Sequence, residues 1–213
     1  RVALRAALRT VQDLSRLSGR IVLGVAGPRE LLALKDSLTA LPEIATQLTP
    51  LVSLQLAEAR EAWDDGRDLA ELIEQALQPE APMSLRDGGV IRDGYHADVD
   101  ELRKANTEGK HWIAALEAKE RERTGIESLK VRYNQVFGYY IEVTRANLKS
   151  TPADYLRKQT LANAERFVTP ELKDWEARIL RAEERIEQRE AEVYADVLQQ
   201  VGARVDSLLA TAV

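Results

Sequence analysis

The chain has 213 residues, 45% hydrophobic and 31% charged, with no cysteine. That mix describes a folded chain, not a disordered or membrane one, and it excludes a disulfide scaffold, a thiol nucleophile and any cysteine-based zinc site. The formal net charge of -5 speaks against nucleic acid only as an average, and the distribution of charge matters more than its total.

In chain order, Val2, Leu4, Leu8, Val11, Leu14 and Leu17 fall at helical spacing and predict one amphipathic helix over 2–17. Its scattered arginines do not match a secretory leader, and the chain opens on Arg1, so a cut-out from a larger protein is expected. Residues 24–27 break the pattern. Pro28, with Glu30 behind it, then starts a helix carrying Leu31, Leu32, Leu34, Leu38 and Leu41. Shorter helical pieces are expected over 42–58 and 67–77, before Pro79 and Pro82. The stretch SLRDGGVIRDG at 84–94 reads as an extended crossover. Over 97–123 the pattern is helical again. Val99, Leu102, Ile113 and Leu116 keep a seven-residue repeat, but Asn106 and Gly109 leave a weak patch, expected to mark a kink or a place where another domain packs.

The period then changes to two. Leu129, Val131 and Tyr133 alternate with Lys130, Arg132 and Asn134; after a bend at Phe137 and Gly138, Tyr139, Ile141 and Val143 alternate with Tyr140, Glu142 and Thr144. This is a β-hairpin with one apolar and one polar face. A capped turn at Thr151 and Pro152 and two further strands near 155–161 and 164–168 complete a small sheet. A last helix runs from 170 to about 209, with Thr169 as N-cap and Pro170 at its first position. Its apolar stripe includes Leu172, Trp175, Ile179, Val193, Val197 and Val201. At that length it spans on the order of 60 Å, a stalk expected to run antiparallel to 97–123. No apolar stretch approaches the roughly 20 residues of a membrane span.

The charge is unevenly spread. Residues 128–168 hold seven Lys and Arg against three Asp and Glu, a surplus of +4 that leaves -9 for the rest. Basic residues interleaved with aromatics and small polar groups supply phosphate contacts without reading bases. The densest group is Arg157, Lys158, Gln159 and Thr160, with Asn163 just beyond. A solvated strand face accounts for the same residues, and the contrast with the acidic remainder favours backbone binding. Tyr133 and Tyr139, in phase with apolar neighbours, are expected in the core. His96 lies near Asp98, Asp100 and Glu101, but acids in a first helical turn complement the helix dipole, so no metal site is expected. Gly109 and Lys110 lack the lead-in of a phosphate loop, and no catalytic centre is recognisable.

The runs SLKVRYNQVFGYYIEVTRANL and YLRKQTLANAERFVTPEL resemble the clamp of the bacterial MutS family of DNA mismatch-recognition proteins. GGVIRDGYHADVDELR and GKHWIAALEAKERERTGI resemble that family's lever, and LSRLSGRIVLGVAGPRELLALKDSL its core domain. The resemblance implies a mainly α fold: a helical core and long antiparallel lever helices with a small inserted antiparallel β clamp. It divides the chain into a helical core and first lever helix at 1–127, the clamp at 128–168 and the returning lever helix at 169–213. It also implies a cytoplasmic, nucleoid-associated homodimer whose two clamps close on double-stranded DNA, with no membrane. Backbone contact carries onto Arg157, Lys158, Thr160 and Asn163, and further onto Lys130, Arg145, Asn147 and Lys149. One departure is Ala162, where many relatives have lysine. The family's mismatch-reading and ATPase domains are not in the sequence. The fragment is therefore expected to be no enzyme and to hold no cofactor, ATP and Mg belonging to the whole protein. The competing reading is a helical stalk whose β tip is a protein-interaction module.

Overall fold

The computed structural model describes residues 2–49 and 63–205, and the chain divides into two compact units, 1–99 with 187–213 and 100–186. In the first unit the opening apolar stripe does not form one helix. Helix α1 covers Val2–Leu8 and α2 covers Leu14–Val22, because the Asp13 carboxylate accepts from the Arg16 N–H and starts a new helix.

Helix α3, Pro28–Leu48, begins as Pro28 and Glu30 predict, with the Glu30 carboxylate accepting from the Gly27 N–H at 3.0 Å. The contact with Gly27, then the adjacent Arg20, holds the Glu30 pKa below its usual value. A separate helix over 42–58 is not found up to residue 49: α3 runs straight through Pro42, and 50–58 lies outside the described residues. Leu38, Leu41 and Ile44 are all buried. At roughly 1.5–3 kcal/mol per buried aliphatic side chain, the stripe outweighs the roughly 3 kcal/mol that an interior proline costs.

Helix α4, Arg67–Ala76, follows. The 84–94 stretch is less extended than its run of turn-forming residues suggests. Ser84 caps a 3-10 turn at Leu85–Asp87, and only Ile91 pairs, in an isolated bridge to Leu77. Leu17, Leu31, Leu34, Ile73, Val90 and Ile91 form the core with Val193, Val197 and Val201 of the last helix. Glu190, buried beside them, accepts from the N–H groups of Gly89 and Val90 at 2.8 and 3.3 Å.

The second unit rests on two helices, α5 (Ala97–Thr124) and α6 (Pro170–Gly202). Thr169 caps α6, accepting from the Leu172 N–H at 3.1 Å. The expected extension of α6 to 209 stops at Gly202, and 206–209 lies outside the described residues. At 33 residues it is about 50 Å long. In this unit the helices run antiparallel. Lys119 meets Glu171, Trp112 stacks on Trp175 with ring centres 4.9 Å apart, and Lys110 pairs with Glu183 at 2.8 Å. Helix α5 continues through Gly109, which packs against Ile179.

Between the helices lie β1 (Lys130–Asn134), β2 (Gly138–Thr144), β3 (Leu156–Thr160) and β4 (Ala164–Val168), all antiparallel, in the order β1-β2-β4-β3. Ile141, Val143 and Phe167 pack with Ile113, Leu116, Leu172 and Ile179. The fold is mainly α with a small antiparallel sheet, as the change of period predicts. Tyr133 departs from expectation: it is 55% exposed. Alternation sets the face a residue shares with its neighbours, and Tyr133, near the end of an edge strand, reaches past the buried part of that face. Tyr139, opposite it, is half-buried and packs on the core.

Candidate nucleic-acid interface

The strand order brings most of the candidate residues to one end of the sheet. There β1 begins at Lys130, β2 ends at Thr144, β3 ends at Thr160 and β4 begins at Ala164. A 3-10 segment, Arg145–Ser150, follows β2 at this end. The Arg145 N–H donates to the Asn163 carbonyl at 3.1 Å, tying that segment to the β3–β4 turn. The turn is closed by the Leu161 N–H on the Ala164 carbonyl at 2.9 Å, leaving Ala162 and Asn163 exposed. Asn147 also has partners within the fold. Its amide donates to the hydroxyls of Ser128 and Thr144 at 2.9 and 3.3 Å, which fixes the segment carrying Arg145 and Lys149.

The remaining two candidates lie along edge strand β3. The register steps from Arg157 opposite Phe167 to Gln159 opposite Arg166, so Lys158 is the extra residue of a bulge. Bulges blunt an edge and re-aim its side chains. Arg157 is not free: its Nε lies 2.7 Å from the carboxylate of Glu165, which is buried on the neighbouring strand.

Arg166 is built into the sheet rather than offered to solvent. Its guanidinium lies 4.4 Å from the Tyr140 ring centre, pairs with Glu142 at 3.7 Å and donates to Gln159 at 2.8 Å. This cover buries Tyr140 on the face that alternation marks as polar. The third acid, Asp154, is held by Arg123 at 3.1 Å. Arg123 also binds Glu120, and that contact first, then Asp154, raises its pKa above the usual value.

All three acids of 128–168 are therefore engaged. Lys130, Arg132, Arg145, Lys149 and Lys158 are exposed and have no acidic partner among the described residues. Arg132 is the residue that the sequence reading left out of the site. It lies across from Tyr140 on the same face as Lys130, and the period-two pattern that revealed the hairpin already placed it there.

Among the described residues, no three His, Asp or Glu come close enough together to hold a metal. His96 instead faces Arg189 at 3.4 Å. No described helix is long and apolar enough to cross a membrane.

The MutS family domain IV model matches residues 94–185, a span that takes in all four described strands. The DNA mismatch repair protein MutS of Symbiobacterium thermophilum is 51% identical over 205 residues, covering 96% of this chain and 23% of that protein. The chain belongs to the MutS family. The MutS protein of Methanothrix thermoacetophila is 54% identical over 93% of the chain and 23% of its own length, and that of Alkaliphilus metalliredigens 44% identical over 100% and 24%. The chain thus spans about a quarter of the length of these MutS relatives. The domain IV match and the second compact unit, 100–186, nearly coincide.

Proposed function

We propose that this chain holds one DNA-gripping jaw of a mismatch-repair protein. Residues 128–168 act as the clamp, touching the backbone of double-stranded DNA without reading its sequence. Residues 1–127 and 169–213 act as helical core and levers, coupling that grip to an ATPase domain elsewhere in a homodimeric whole protein. Rigid helices can carry such coupling if both ends bias the same two-state element. Catalysis, with its ATP and Mg, belongs to that other domain, and the chain alone hydrolyses nothing.

The carrying observation is the set of five exposed cations without acidic partners among the described residues, in a segment whose acids are all taken. Phosphodiesters are the partner that such a set fits. Lys130, Arg145, Lys149 and Lys158 supply charge, with Arg132 added and Arg157 shared with Glu165. Thr160 and Asn163 supply neutral hydrogen bonds, and Asn147 holds the loop.

The test is a titration of the chain against duplexes of unrelated sequence over a range of salt. Equal affinity for each duplex is expected, with a log-log slope of roughly -0.9 per phosphate engaged. Replacing Arg145→Ala together with Lys149→Ala should make that slope shallower by about 2. An unchanged slope overturns the reading. A second reading, a stalk whose tip docks a protein, is favoured by exposed Tyr133 and Val136 beside the β1–β2 turn. It predicts no salt-dependent duplex binding at all.

A further inference from the structure

We propose that Glu165 is a positioning residue: it grips the Arg157 guanidinium from within the sheet so that the outer edge meets a DNA phosphate. This rests on the backbone-contact reading above. Position 165 is opposite Val143 on one side and Thr160 on the other, and Val143 belongs to the core. A valine or threonine would pack there without carrying a charge out of water. The chain instead has a carboxylate that is 6% exposed, with Arg157 as its one ion-pair partner among the described residues.

A carboxylate taken out of water against a single, mostly exposed cation is often no more stabilising than an apolar residue of the same size. Fold stability therefore leaves Glu165 unexplained, whereas orientation explains it. Arg157 comes within 2.7 Å through Nε as an ion pair, Glu165 Oε2 having no aligned hydrogen-bond partner, while the arginine side chain as a whole stays 63% exposed. Guanidinium is a rigid fork with five donors, so one edge can be held while the other receives a second anion. Held this way, Arg157 does not have to lose side-chain freedom when DNA arrives. The bulge at Lys158 puts a second cation immediately beside it.

The proposal predicts against simple charge counting. Removing a negative charge near DNA should tighten binding, yet E165Q is expected to weaken duplex binding about fivefold. It should also make the log-log salt slope shallower by roughly 0.9, as R157A does. The double variant should bind no more weakly than R157A alone. R157K, which keeps the charge but not the fork, should lose affinity about threefold, and E165Q in that background should cost nothing more. Melting curves establish that each variant is folded.

Wild-type affinity in E165Q, or a loss that adds in full to that of R157A, overturns the proposal. Should E165Q not fold, undiminished binding by R157K overturns it instead. The two levels fail differently. Absence of salt-dependent binding by the wild-type chain removes the backbone reading itself. A wild-type chain that binds, with R157A lowering the slope and E165Q not, removes only the role of Glu165.

Discussion

At the β1–β2 turn a single carboxylate holds a strand end to a helix. Glu176, buried on α6, accepts from the Tyr139 N–H at 2.7 Å and pairs with Lys173 at 2.6 Å. Gly138 makes room for it. A Cβ there would fall inside the Glu176 carboxylate, and the glycine sits at φ +74°. Left-handed backbone costs a non-glycine residue about 1–2 kcal/mol, and a displaced buried hydrogen bond about 1–3 kcal/mol more. Gly138→Ala should therefore lower the melting temperature by roughly 4–20 °C; an unshifted melt would mean that Glu176 does not anchor this turn. The bend itself was legible, because the period-two pattern stops at Phe137 and resumes at Tyr139. Glu176 was not, since a glutamate on a charged helix reads as solvated until the partner strand is known. Glu165 was hidden the same way, entering the charge count only as a subtraction.

Where α5 and α6 pack side by side, the missing side chain of Gly109 is what allows the approach. A Cβ at 109 would lie 2.7 Å from Cγ1 of Ile179 and 3.8 Å from the Trp175 ring. Gly109→Ala gains about 1 kcal/mol of helix propensity, against an overpacking cost of about 1–3 kcal/mol. The net change should be destabilising, seen as a lower denaturant midpoint. Adding Ile179→Ala removes Cγ1, so the double variant should be less destabilised than the two single changes summed. Strict additivity would show that the contact is not limiting. Elements with an unbroken period, α6 and the hairpin, could be read from the pattern with little error, and α5 could be read despite its weak patch at Asn106 and Gly109. Two helix boundaries could not. Asp13 captures a backbone N–H within a continuous apolar stripe, and Pro42 is overridden by the burial of Leu41 and Ile44. The first is a local cap masked by the continuous stripe around it, whereas the second depends on tertiary packing that a local window does not contain.

Each unit of the whole molecule keeps one tyrosine hydroxyl buried and neutral. In the first, Tyr194 donates to the Ala26 carbonyl at 2.8 Å; in the second, Tyr155 donates to the Glu120 carboxylate at 2.8 Å. Burial raises both pKa values well above the usual 10.0, with Glu30 reinforcing the shift at Tyr194 and Glu120 at Tyr155. A raised folded-state pKa stabilises the neutral form. The contribution is complete below about pH 10 and is lost as pH climbs toward the folded value. Thermal midpoints are expected to hold up to about pH 10 and fall above it. Tyr155→Phe should flatten that alkaline fall for the second unit, and an equally steep fall in the variant would assign it to other groups. The division of the chain also sets an order of synthesis. The second unit is contiguous, but the first needs Val193, Val197 and Val201 to cover Leu17, Leu31 and Leu34. At about 5–20 residues per second, a ribosome takes roughly 4–17 s to make 100–186. Throughout that interval the nascent first unit carries an uncovered apolar face, a window in which a chaperone has something to hold.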